Sequence, residues 1–234
     1  MSMSLVAARS RLHETIGVLG GEGLRLFFPL AALHAALWPL LWSVVYGLDL
    51  PFSSVLSPGL WHANEMIVGT FGAALIGFIT TAIPEWSDTQ RIQGRQLYAL
   101  AGMWGGARIV GLLGGDGLLV VAALGDISWS LILAFYGARV SWAKRSTPLA
   151  GFALWLAALA AAIIVIRFAF LTGDAALAEK GLHVAGLVMM GLLGLALSRI
   201  AVPVINLVLD PSETSSPFRP RPGRPNPAPR PAAV

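Results

Sequence analysis

The chain contains no cysteine. That absence removes disulfides, c-type haem attachment, iron–sulfur clusters and thiolate metal sites together, in any compartment. Charge is scarce as well. Asp, Glu, Lys and Arg make up 12% of the 234 residues, roughly half of what a soluble domain carries. Regular alternation of polar and apolar residues is also missing, which excludes a membrane barrel of short tilted strands. What fills the sequence instead is apolar: 56% of residues are hydrophobic and the mean hydropathy is +0.73. One soluble core cannot hide so much apolar surface, so the chain reads as an all-α integral membrane protein whose first partner is the lipid bilayer.

A bilayer asks for about 20 consecutive apolar residues per helical span. Six runs satisfy this, at residues 26–47, 62–83, 96–114, 117–140, 148–171 and 181–208. The fold class that follows is a bundle of six transmembrane helices joined by short loops, occupying residues 26–209. Residues 1–25 scatter Arg9, Arg11, His13, Glu14, Glu22 and Arg25 among apolar residues, a pattern suited to an interfacial segment. Residues 210–234 are rich in Pro and Arg with almost nothing to bury, which predicts a disordered tail.

Six spans place both termini on one side, and the basic residues indicate which. Of the 16 Lys and Arg residues, thirteen fall in the termini and the even-numbered loops, leaving Arg108 and Arg167 within spans and Lys180 on the opposite side. Because Lys and Arg resist translocation, both termini are expected to be cytoplasmic. The net charge of +4 then expresses topology and implies no nucleic-acid partner. Small residues spaced four apart, among them Gly69 and Ala73, Gly102 and Gly106, Gly111 and Gly115, and Gly181 and Ala185, predict close helix approach.

Ionisable residues inside spans are costly and point to function or to buried pairing. On this topology His62, Glu65, Arg108, Asp126, Arg167 and His183 gather in the outer half of the membrane, with His34 apart from them in helix 1. His62, Glu65 and Met66 share a helical face, as do His183 and Met190. Imidazole and thioether are ligands for haem iron and copper, and two histidines on different helices could clamp a haem whose propionates meet Arg108 and Arg167. The competing reading has the arginines snorkelling to headgroups and Asp126 pairing with one of them as a buried tie between helices.

One stretch carries a resemblance. "WHANEM" at 61–66, followed by "IVGTFGAALIGFITTAIPEW", is similar to the "WHAHEM...GFLLTAVPNW" signature of the NnrS family of haem- and copper-containing bacterial membrane proteins, associated with nitric oxide metabolism and resistance. "FFPLAALHAALWPLLW", "GGARIVGLLG" and "LSRIAVPVINLVL" resemble that family's first helix, third helix and end of helix 6, so the likeness extends over roughly residues 24–209. It implies a b-type haem, with copper as a further metal, in a bacterial inner membrane. His62 and His183 become the expected ligands, His34 and Met66 further metal candidates, Glu65 a support for an imidazole, and Arg108 and Arg167 partners of anionic groups. Asn64 stands where the family signature has its second histidine. Family members are about twice as long with some twelve spans, which implies that this chain pairs as a homodimer or with a partner membrane subunit.

Two other functions fit the residues. Asp126, Glu65 and the arginines could line a proton or anion pathway in a small transporter. Alternatively, the altered position 64 could mark a non-catalytic partner subunit that scaffolds a larger membrane complex.

Overall fold

A computed structural model of the chain describes residues 14–45 and 57–209. The N-terminal part of the expected interfacial segment, the end of the first span after Val45 and the Pro-rich tail lie outside the described residues. Within them the structure is helical, with no strand. A short helix α1 occupies 14–19, followed by α2 (Gly23–Val45), α3 (Pro58–Asn64), a π-helical turn (Glu65–Thr70) and α4 (Phe71–Ser87). Then come α5 (Arg95–Leu113), α6 (Asp116–Lys144), α7 (Thr147–Thr172) and α8 (Ala175–Leu209).

The helix boundaries follow local chemistry. Ser57 caps α3 by accepting the Leu60 N–H, and Pro58 occupies the first turn, where its missing N–H is harmless. Asp88 and Arg145 end α4 and α6 in the left-handed region, at φ 50° and 47°. Gly114 and Gly115, also at positive φ, separate α5 from α6, and Gly173 ends α7. The carboxylate of Asp174 then accepts the Leu177 N–H at 2.9 Å and starts α8.

Five helical runs have the length and hydropathy to cross a bilayer: Gly23–Leu41, Pro58–Ser87, Gly117–Lys144, Thr147–Thr172 and Ala175–Asn206. The remaining long helix, α5, has 19 residues but carries Arg95, Gln96 and Arg108, which lower its hydropathy. Of the six expected membrane helices, five are thus long and apolar enough to cross a bilayer, and α5 is the less apolar sixth.

The chain divides into two compact units, Met1–Met189 and Met190–Val234. In the first, α6 packs along α7 and α5, while α4 packs along α2. Trp61, Trp129, Phe27 and Phe152 are fully buried there. Glycine makes several of these approaches possible. A Cβ at Gly77 would lie 2.9 Å from the Phe27 Cβ, and one at Gly125 would lie 2.8 Å from the Met103 carbonyl oxygen. At Gly181 the Ile166 Cγ1 stands equally near, at 2.8 Å. The expectation for Gly102, Gly106, Gly111 and Gly115 differs: nothing among the described residues lies within 4 Å of a Cβ at those positions. The described part of the second unit, 190–209, is the continuation of α8.

One end of the first unit is tied together by hydrogen bonds. Gly94 N–H donates to the Gly20 carbonyl at 2.8 Å, Tyr98 donates to the Ile16 carbonyl, and Lys144 Nζ donates to the Asp88 carbonyl at 3.2 Å. The start of α2, the α4–α5 connection and the α6–α7 connection therefore share an end. These are the basic segments that the sequence places on one side of the membrane.

Candidate functional site

At the other end of α5, α6 and α7 lies a connected set of buried ionisable side chains. Asp126 of α6 is fully buried and accepts three donors. Its Oδ2 takes Nη2 of both Arg108 from α5 and Arg167 from α7, and its Oδ1 takes the Trp129 indole N–H at 3.0 Å. Arg108 continues the chain, its Nη1 lying 3.2 Å from Oε1 of Glu65. The Asn64 amide donates to that same oxygen at 3.2 Å. On its other side Glu65 Oε2 meets His34 Nε2 of α2 at 3.3 Å. Nδ1 of that ring is 2.7 Å from the Thr70 hydroxyl. Arg167 also lies over the Phe170 ring, 5.6 Å from its centroid.

Each member is at most 4% exposed, apart from Thr70. Two carboxylates face two guanidiniums, so the set is neutral when His34 is neutral. In a medium without water, that balance is what makes burial of four charges tolerable. Arginine suits the role because its planar fork can reach two carboxylates at once, as Arg108 does with Asp126 and Glu65.

The sequence-derived candidates therefore separate. Glu65, Arg108, Asp126 and Arg167 do converge, as their heights in the helices implied. His34, placed apart from them on the sequence, is joined to them instead. Its position depends on how α2 is rotated against α4, which no spacing reveals. Asn64, Trp129 and Thr70 were missed as members. The sole signal was that Asn64 and Thr70 flank Glu65 in an otherwise apolar run. His62 and Met66 are half-buried, while Glu65 between them is enclosed. His183 stands exposed on α8, where its Nδ1 is 2.9 Å from the Glu179 carbonyl.

These positions bear on the haem and copper that the resemblance implies. Both ring nitrogens of His34 are engaged, and both arginines face Asp126. The buried set thus does not fit a haem with its propionates clamped by Arg108 and Arg167. No group of three or more His, Asp or Glu side chains suited to a metal ion occurs among the described residues. His183 would be able to hold such a group: with its Nδ1–H on the Glu179 carbonyl, Nε2 is left to act as a donor.

Comparison with curated proteins and with solved structures gives no match. The family model described as NnrS protein matches residues 19–233, nearly the whole chain. The "WHANEM" stretch, its following helix and the family match agree, and this membrane protein belongs to the NnrS family.

Proposed function

We propose that this chain serves nitric oxide or denitrification physiology as a bacterial inner-membrane subunit. On this reading it offers imidazole ligands for a b-type haem or copper at the surface of its bundle. A second copy or a partner subunit would complete the site. The observation that carries the proposal is the exposed His183 ring, oriented by the Glu179 carbonyl. His62, half-buried at the head of the second span, is the other ligand candidate. Without cysteine, any haem is held by coordination and packing alone. When bound, such a group supplies diatomic-gas binding or electron transfer. The chain's own residues hold the core in place: Glu65, Arg108, Asp126 and Arg167 tie the π-turn, α5, α6 and α7 together from within.

The test is the ultraviolet-visible spectrum of the detergent-purified protein, with a pyridine hemochrome assay and metal analysis. The expected result is a Soret band, or bound copper, that H183A removes. Absence of both groups from protein produced with haem and copper supplied would overturn the proposal.

A second reading draws on the continuity of the buried set. His34, Glu65, Arg108, Asp126 and Arg167 form one chain of polar contacts across the bundle. Nε of Arg108, Nε of Arg167 and Oδ1 of Asn64 make no further hydrogen bond among the described residues. Such valencies suit a proton or anion pathway. Proton or anion flux into liposomes that disappears in D126N would favour it.

A further inference from the structure

Glu65 and Thr70 bracket the π-helical turn inside the second span, and both contact one imidazole. The coincidence has a geometric cause. In an α-helix, at about 100° per residue, positions five apart point roughly 140° away from each other. In a π-turn the hydrogen bonds close on the fifth residue, so positions five apart stack on one face. The turn shows that closure directly, since the Phe71 N–H donates to the Met66 carbonyl. Only in this register can His34 meet Glu65 through Nε2 and Thr70 through Nδ1 together.

The surroundings hold His34 in that position. Its ring stacks on Trp38 with centroids 4.1 Å apart and meets the edge of Trp104 at 5.5 Å. Trp104 donates its indole N–H to the Gly69 carbonyl, within the turn, at 2.8 Å. Gly69 admits both neighbours, because a Cβ there would stand 2.7 Å from His34 Cε1 and 3.0 Å from Arg108 Nη1.

We propose that His34 is a positioning residue that locks the second span in its π register, thereby setting Glu65 against Arg108 and fixing which face of α3 is presented outward. Closing the turn to an α-helix would remove its extra residue and rotate 58–64 by about 100° against α4. Every residue of α3 would then take its predecessor's angular place, so Leu60 would occupy the direction that Gly59 has now. The inference is independent of any haem or copper, because its readout is the rotation of α3.

The cysteine-free sequence makes the test direct. Single cysteines are placed at Gly59, which is exposed, at Leu60, which is half-buried, and at Gln90, exposed in the α4–α5 connection beyond the span. Their maleimide labelling rates are compared in the full chain in membranes. With His34 present, G59C labels faster than L60C. In an H34L background that order reverses while Q90C is unchanged. H34Q restores the original order, because a glutamine retains one donor and one acceptor. Should H34L fail to fold, T70V removes one arm of the clamp and gives the same reversal. An unchanged order of G59C and L60C in the folded H34L or T70V protein overturns the proposal.

Discussion

Asp126 carries more of the bundle than any other single residue in the buried set. Its two oxygens accept two guanidiniums and an indole from three helices. Replacing it by Ala leaves two cations enclosed without their common partner, at a cost of about 3–5 kcal/mol. D126A is expected to lower the detergent unfolding temperature sharply, whereas D126N, which keeps the shape and one acceptor oxygen, is milder. Thermal unfolding followed by circular dichroism checks both. Replacing Asp126 and Arg167 together with apolar residues of similar volume, which leaves Arg108 paired with Glu65, should recover much of the loss, since breaking a buried pair is worse than removing both its members. At this scale the sequence was informative about heights and poor about angles. Counting residues along alternating spans brings Glu65, Arg108, Asp126 and Arg167 to one level. The rotation of α2 that adds His34 depends on packing between Gly23, Gly77 and Phe27, which spacing does not encode.

At the scale of the element, the second span departs most from a regular helix. Its apolar run reads as an unbroken α-helix, and nothing in "EMIVGT" announces a π-turn. A partner on another helix maintains the turn, so its cause is tertiary and invisible to periodicity. Elsewhere the break expected between 114 and 117 falls at Gly114–Gly115, while the second and sixth runs start at Pro58 and Ala175, before the expected 62 and 181, because the Ser57 and Asp174 side chains cap them ahead of their most apolar stretches. Glycines divide by what they face. G77A forces a methyl against Phe27 and is expected to cost about 1–3 kcal/mol by overpacking the α2–α4 seam. G106A meets nothing within 4 Å among the described residues and should not lower the melting temperature of the isolated chain. Comparing the two variants in one thermal-shift series separates glycines that set helix distance from those that do not.

For the whole molecule, the basic connections lie at one end because the hydrogen bonds from Gly94, Tyr98 and Lys144 tie them there. We propose that this end faces the cytoplasm, following the bias of Lys and Arg against translocation. A membrane-impermeant maleimide added to intact cells should therefore spare S146C, between α6 and α7, and label A175C at the start of α8. The reverse pattern would invert the topology. The all-α membrane class was legible from composition alone. The placement of the imidazoles was not, since they stand on separate elements and in different burial, with His34 enclosed and His183 exposed.

On the function proposed above, the ionisable residues divide into buried ties that hold the helices and an exposed imidazole, His183, that would hold a ligand. One titration reads both properties: haem added to purified wild type, H183A and D126N, with Soret absorbance and unfolding followed in the same heated sample. H183A is expected to lose the bound-haem band and keep the wild-type melt, while D126N melts earlier and keeps the band below its transition. A folded H183A that binds haem as well as wild type, or a folded D126N that does not bind it, would contradict the division.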